Sequence, residues 1–317
     1  MSDFSHLNPH QNLRCLSLSG GGVRGIVSIK LLAVLDRKLK TDASQAFDMF
    51  CGTSIGAILA LGLAVGRSAN ELNEIFFKQA DKIFGHPRRL NPFGVRGSKH
   101  DSVGLRSVVE EVLGNERQTN LSKLDKRILL ISVSGSTNQV AYFGNVGDVN
   151  GQECHDATLV DAALASSAAP FFLPAHPIGR EMFLDGGLVS NNPDLEAYQV
   201  GTKKFSRTEE SLKILSLGTG RVTPTSMTSQ MTNPRSFQWL GRLSLIDRLM
   251  QMQSLKPSLA VAASLGRNYQ RLDVDLKTAV RLDDASQATL EMLSNSAAAK
   301  AKETLATNGG HIASFFR

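Results

Sequence analysis

The stretch Gly52-Thr53-Ser54-Ile55-Gly56 is the part of the chain that most constrains the fold. It follows the largely apolar residues 47–51 and opens the apolar run 57–65. This order predicts a strand, a sharp turn and a helix, with the Ser54 hydroxyl at the turn. Such a turn needs small residues two positions on either side of the serine, because neighbouring backbone presses close to it. Pentapeptides of this kind also arise by chance, with the serine as an ordinary helix N-cap. The stretch alone therefore makes Ser54 a candidate nucleophile.

A second motif, a glycine-rich turn at residues 20–25, lies between a predicted buried strand at 15–18 and a helical pattern at 26–39. A turn that leads into a helix N-terminus exposes backbone N–H groups, and these can hold a phosphate or an oxyanion. We expect an oxyanion hole here, formed by Gly20, Gly21, Gly22, Val23, Arg24 and Gly25. The Arg24 side chain either fastens this loop or meets a lipid phosphate, and fastening is the favoured interpretation.

The same glycines allow a rival interpretation as a dinucleotide-binding turn. Gly20, Gly22 and Gly25 satisfy the spacing G-x-G-x-x-G, which requires an acidic residue about 20 positions further on. Asp42 and Asp48 are the nominal candidates, but neither follows a convincing second strand. The serine turn downstream favours the oxyanion interpretation.

The third motif is Asp185-Gly186-Gly187, which follows the short apolar run 182–184. A carboxylate at a strand end followed by two glycines is open to a ligand on one side. Asp-Gly turns without any function are very common. Asp185 alone is therefore weak evidence for catalysis.

Together and in this order, the three motifs closely resemble those of the patatin-like phospholipases. Residues 165–174, 191–193 and 215–220 resemble further family segments, so the likeness covers residues 13 to about 220. One departure is Ser19, where plant storage members carry Asp. The resemblance implies a three-layer α/β fold with a central, mostly parallel sheet flanked by helices. Strands are expected near 13–18, 47–51, 127–134, 182–184 and 212–217.

The resemblance also implies a mechanism, hydrolysis of phospholipid acyl esters through an acyl-Ser54 intermediate. Asp185 is the base of a Ser–Asp dyad that needs no histidine, metal or cofactor, and Gly52, Gly56, Gly186 and Gly187 are the motif glycines. A carboxylate is a weak base at neutral pH, so burial that raises its pKa would help. The rival is a triad in the order Ser54, Asp185, His311, since that order matches the α/β-hydrolases. His155 and His176 are the other histidine candidates.

Composition and sequence pattern indicate the cellular compartment in which the protein acts. The 317 residues carry a net charge of +6 and only three cysteines, which favours a reducing compartment over a disulfide framework. The N-terminus shows no signal-peptide pattern, and the longest apolar run is too short to span a bilayer. We expect a single domain over 1–317, located in the cytoplasm and acting peripherally at the inner face of the membrane. No module for binding a nucleic acid polymer is visible.

We expect the C-terminal third of the chain to regulate access to the site. In 236–253, Trp239 shares one helical face with apolar residues, which suits a lid or an ordinary core-facing helix. We therefore expect a helical lid or regulatory region near 223–266. Bacterial relatives include the effectors of cyclic-nucleotide antiphage (CBASS) systems, which implies activation by a cyclic dinucleotide and homo-oligomer formation on activation. Two alternatives remain, a constitutive esterase or lipase of small soluble esters, and an inactive nucleotide-binding or storage protein of the same fold.

Overall fold

The structure is a computed structural model that describes residues 12–84, 97–222 and 245–317, with the backbone alone described for 245–247. The strands are β1 Leu13–Leu18, β2 Met49–Thr53, β3 Arg127–Ser134, β4 Val140–Gly144, β5 Asp148–Val149, β6 Gln152–Glu153, β7 His176–Ile178, β8 Glu181–Asp185, β9 Leu212–Leu217, β10 Arg221–Val222, β11 Tyr269–Leu272 and β12 Asp275–Leu276. The helices are α1 Gly25–Leu39, α2 Ala43–Ala46, α3 Ile55–Ala64, α4 Ala69–Phe84, α5 Val103–Leu113, α6 Leu159–Ser166, α7 Asp194–Gln199, α8 Leu245–Leu265 and α9 Gln287–Ala313.

Eight strands form the central sheet, in the order β11-β9-β1-β2-β3-β8-β7, with β4 also paired to β3. The pairs within the first five are parallel, whereas β4, β7 and β8 are joined by antiparallel pairs. This confirms the mostly parallel α/β sheet. All five predicted strands are present, although the strand expected at 47–51 is Met49–Thr53. β4, β7 and β11 were missed, because short segments give too few residues for a clear alternation.

Both faces of the sheet are covered, which makes three layers. Alternate side chains of each central strand enter opposite cores: Leu16 and Phe50 face one, Cys15 and Cys51 the other. The first core is completed by helices α1, α3, α4, α5, α6 and α9, and the second by α7 and α8. Burial on both faces explains why these strands are almost continuously apolar. Helix α3 is buried nearly all round, which explains its uniformly apolar sequence.

Strand β3 brings two strand ends together. Along residues 129–133 one edge of β3 is occupied by β4. β2 and β8 therefore share the other edge, with Thr53 opposite Ile131 and Asp185 opposite Ser132. Because β2 runs parallel and β8 antiparallel to β3, their carboxyl ends meet there. The residues that follow Thr53 and those that end β8 are thus forced into contact.

The C-terminal third is built into the same body. β11 pairs with β9 in the central sheet, and α9 packs along α1. Residues 223–244, half of the expected lid at 223–266 together with Trp239, lie outside the described residues, so the lid and the single-domain boundary stay predictions. Within the described ranges, no helix is long and apolar enough to cross a membrane.

Candidate active site

Ser54 occupies a strained turn between β2 and α3. Its backbone has φ 56° and ψ −127°, which non-glycine residues rarely adopt. The flanking glycines permit the turn. A Cβ on Gly52 would lie 2.4 Å from the Gly56 carbonyl oxygen, and a Cβ on Gly56 would lie 2.2 Å from the Leu18 carbonyl oxygen. The turn therefore has the geometry of a nucleophile elbow, as the pentapeptide predicts.

Ser54 and Asp185, the two predicted catalytic residues, are brought together. The Ser54 Oγ donates a hydrogen bond to Asp185 Oδ2 at 2.6 Å, and the Gly187 N–H donates to Asp185 Oδ1 at 2.7 Å. Both side chains are buried. Burial raises the pKa of Asp185 to about 6, although the hydrogen bonds from Ser54 and Gly187 act in the opposite direction. At neutral pH the carboxyl is then mostly ionised, yet a much stronger base than an ordinary aspartate.

The other motif glycines keep this carboxylate close to its strand. A Cβ on Gly186 would lie 2.2 Å from the Ile131 carbonyl oxygen. A Cβ on Gly187 would lie 3.0 Å from Asp185 Oδ1 and 2.8 Å from Met250 Cε. A larger residue at Gly186 would push the Asp185 turn away from β3, and one at Gly187 would press on the carboxylate itself and on Met250.

The histidine candidates are engaged elsewhere. The His311 ring, near the end of α9, contacts Phe315, and the His155 ring contacts Phe143. His176 Nε2 lies 3.0 Å from Asp161 Oδ1. Within the described part of the chain, no histidine hydrogen-bonds to Ser54 or Asp185. The geometry therefore favours the dyad over the triad with His311.

The glycine loop uses most of its own N–H groups. Gly20 donates to the Asn191 carbonyl and Val23 to the Leu282 carbonyl, both at 2.9 Å. Arg24 and Gly25 donate to carbonyls within the loop. Among the described residues, the N–H groups of Gly21 and Gly22 have no acceptor, and Gly22 lines the same cavity as Ser54. Of the six residues expected to form the oxyanion hole, only Gly21 and Gly22 therefore have a backbone N–H that is available within the described part of the chain.

Two side chains hold the glycine loop in place through hydrogen bonds to its carbonyl groups. Thr219 Oγ1 donates to the Gly20 carbonyl at 2.8 Å, and Arg24 Nε donates to the Gly21 carbonyl at 3.4 Å. Arg24 is buried, as fastening requires. The acids of the dinucleotide alternative have structural partners: Asp42 caps α2 through the Ser44 N–H, and Asp48 pairs with Arg14.

Sequence reasoning did not single out Ser166. Its Oγ accepts the Ser54 N–H at 3.0 Å and donates to the Ile131 carbonyl at 2.5 Å. This hydroxyl ties the strained Ser54 backbone to β3. The run of small residues at 165–169 was the only sequence signal for it.

Comparison with known proteins identifies the family. The family model described as patatin-like phospholipase matches residues 16–198, more than half of the chain. The chain belongs to the patatin-like phospholipase family.

Among relatives of this patatin-like chain, a cGAMP-activated phospholipase of Pseudomonas aeruginosa is 33% identical over 298 residues, covering 90% of this chain and 88% of the relative. A protein of the same name from Escherichia coli is 32% identical over 325 residues, covering 93% and 90%. The calcium-independent phospholipase A2-gamma of Homo sapiens is 29% identical over 245 residues, covering 70% of this chain and 31% of that protein.

The patatin-like site opens into a cavity of about 260 Å³ with Ser54 and Asp185 in its wall. Most other lining residues are apolar: Ile55, Ile58, Ile83, Phe84, Leu105, Ala169, Pro170, Phe171, Phe172, Leu173, Leu188, Leu249, Met250 and Leu282. An apolar cavity beside Ser54 suits a fatty-acyl chain better than a charged group.

Three further residues, Met250, Arg271 and Lys99, are held by other parts of the chain. Met250, which shares the predicted helical face of Trp239, is buried in the cavity wall. Arg271 pairs with Asp273. Lys99 pairs with Asp283, whereas its basic neighbours at 88, 89 and 96 lie outside the described residues.

Proposed function

We propose that this protein hydrolyses fatty-acyl esters of membrane phospholipids with Ser54 as nucleophile and Asp185 as base. One observation carries the proposal: a 2.6 Å hydrogen bond joins the two side chains in the wall of an apolar cavity. The family membership and the phospholipase names of the relatives support the substrate class.

The chemistry follows from the positions of these groups. Ser54 Oγ attacks the ester carbonyl carbon while its proton passes to Asp185 Oδ2. The N–H groups of Gly21 and Gly22 stabilise the negative oxygen that forms, a contribution worth about 10²–10³ in rate per donor. The C–O bond to the lysophospholipid then breaks, and its oxygen takes the proton from Asp185. Water hydrolyses the acyl-Ser54 ester by the same route, with Asp185 accepting the water proton.

The pKa of Asp185, raised to about 6, suits this double role. A carboxylate with an ordinary aspartate pKa would accept the serine proton poorly, and one with a much higher pKa would already be protonated at pH 7. Burial of the dyad supplies the intermediate value, because desolvation disfavours the charged carboxylate.

We further propose that a cyclic dinucleotide activates the enzyme and that activation involves self-assembly at the inner face of the membrane. The name cGAMP-activated phospholipase, carried by relatives that match nearly the whole chain, supports this regulation. An antiphage role that kills the infected cell belongs to the same proposal. A gate of this kind would protect the host membrane until the signal appears.

The test is fatty-acid release from phospholipid vesicles by the purified chain, with and without cGAMP, alongside a short-chain soluble ester. We expect release from vesicles to rise with cGAMP. Activity on the soluble ester alone would point to a constitutive esterase. No activity on either substrate would point to an inactive nucleotide-binding or storage protein of the same fold. Equal vesicle hydrolysis with and without cGAMP would remove the switch and leave the phospholipase.

A further inference from the structure

Helix α8 has two contrasting faces. Nine large apolar side chains are exposed in the described part of the chain, and four of them lie on α8. Met252, Leu255 and Leu259 are 72%, 58% and 61% exposed, and Leu249 is half exposed. These four recur every three or four residues, so they form one stripe along the helix. We call this stripe the outer face of α8.

The opposite face of α8 contacts the cavity wall and the residues that follow Asp185. Met250 packs into the cavity wall, and Gln253 Nε2 donates to the Leu188 carbonyl at 2.7 Å, just beyond the Asp185 turn. The Ser254 Oγ accepts from Asn191 Nδ2 at 3.3 Å, and Asn191 in turn accepts the Gly20 N–H through its carbonyl. These contacts fix the rotation of α8 and keep its apolar stripe pointing outward.

The outer face is continuous with the mouth of the cavity. Leu249 belongs to the stripe and also lines the cavity that holds Ser54. Phe171 and Leu188, from two other elements, line the same cavity and are likewise about half exposed. An acyl chain that left a bilayer against this face would therefore meet apolar side chains all the way to the nucleophile.

Charge on the helix distinguishes between candidate partners. Helix α8 carries two cations, Arg248 and Lys256, and one acid, Asp247, in its first turn, so residues 248–265, which include the exposed stripe, contain no Asp or Glu. Lys256 lies on the exposed side, beside Leu255. Apolar side chains flanked by cations suit an anionic lipid surface, whereas two copies packed through this face would bring like charges together.

We propose that the outer face of α8 docks the protein on an anionic phospholipid bilayer. The inference deepens the proposed function, since it names the surface through which the phospholipid substrate arrives. Met252, Leu255 and Leu259 would enter the headgroup region, and Lys256 would contact lipid phosphates. The mouth of the cavity would then face the bilayer.

The first experiment separates docking from chemistry. Binding to phosphatidylglycerol-containing vesicles is measured by co-sedimentation in the presence of cGAMP, with every variant carrying Ser54→Ala so that the lipid stays intact. Leu255→Ser with Leu259→Ser should weaken binding about 100-fold, roughly tenfold for each leucine. Lys256→Gln should weaken it about fivefold. The matched control is Met182→Ser, which alters an exposed methionine on β8 and should bind like its parent.

When the same surface substitutions are made in protein that keeps Ser54, the variants should hydrolyse a soluble short-chain ester at the parent rate, since Leu255 and Leu259 do not line the cavity. A parent that hydrolyses neither vesicle phospholipid nor the soluble ester would contradict the proposed function but not the docking result. Unchanged vesicle binding by the double variant would overturn the docking proposal. So would loss of a dimer in gel filtration without loss of vesicle binding, because the face would then join two copies.

A second measurement does not depend on whether the leucine-to-serine variants fold. Leu255→Trp in a Trp239→Phe background places the chain's only tryptophan on the outer face. The emission of this tryptophan should shift to the blue and be quenched by brominated acyl chains when vesicles are added. Bound protein whose tryptophan emission is not quenched would exclude this face as the docking surface.

Discussion

Replacing Ser166 by alanine tests how the fold holds the nucleophile. The hydroxyl of Ser166 satisfies two buried groups, the Ser54 N–H at 3.0 Å and the Ile131 carbonyl at 2.5 Å. Leaving a buried polar group unpaired costs about 1–3 kcal/mol, so Ser166→Ala should destabilise the fold by about 2–4 kcal/mol. For a chain of this size that lowers the melting temperature by roughly 3–6 °C. Ser54, freed of one restraint on a strained backbone, should also lose turnover by about 10–100-fold with little change in KM.

The adjacent Ser167 provides a matched control. Its Oγ is buried and has no hydrogen-bond partner among the described residues, so Ser167→Ala should leave stability unchanged or slightly higher. Thermal melts of both variants followed by circular dichroism give the stability difference, and soluble-ester kinetics well below the melting temperature give kcat and KM. Ser166→Ala with the melting temperature of Ser167→Ala and the kcat of the parent would refute this account of the turn.

Three further predictions concern the site. Because the base must be ionised to accept a proton and the pKa of Asp185 is about 6, kcat/KM for a soluble ester should be constant above pH 7 and fall about tenfold at pH 5; a profile still flat at pH 5 would contradict this. Gly22→Ala places a Cβ 2.3 Å from the Leu282 carbonyl oxygen at φ 56°, so kcat should fall about 10²-fold and more than KM changes; an effect on KM alone would indicate a headgroup site instead. His311→Ala should stay within about twofold of the parent, since the His311 ring contacts Phe315 and not the dyad; an inactive His311→Ala beside a partly active Asp185→Asn would restore the triad.

Local sequence signals predicted the turns that carry Ser54 and Asp185 and the glycine loop beside them. The Ser54 turn, the glycine loop and the Asp185 turn each combine a strand, small residues and a polar group within a few positions, so a short window contains the whole pattern. Parallel strands buried on both faces are almost wholly apolar, and for that reason β1, β3 and β9 were predicted within the correct bounds.

Contacts between distant segments could not be read from the sequence. That β2 and β8 meet beside β3 depends on the pairing of each of them with β3, which joins Ser54 to Asp185 across 131 residues. The use of the Gly20 and Val23 N–H groups depends on Asn191 and Leu282, which no local pattern connects to the glycine loop. The two faces of α8 are likewise set by tertiary contacts, because its sequence has no strong polar side opposite the leucines.

The central claim, that Ser54 is the nucleophile activated by Asp185, is tested most directly by a fluorophosphonate probe followed by peptide mass spectrometry. The account predicts one phosphonylated residue in the parent, Ser54, with no labelling of Ser54→Ala and much slower labelling of Asp185→Asn. Modification of a different residue, or full hydrolysis of phospholipid by purified Ser54→Ala, would contradict it.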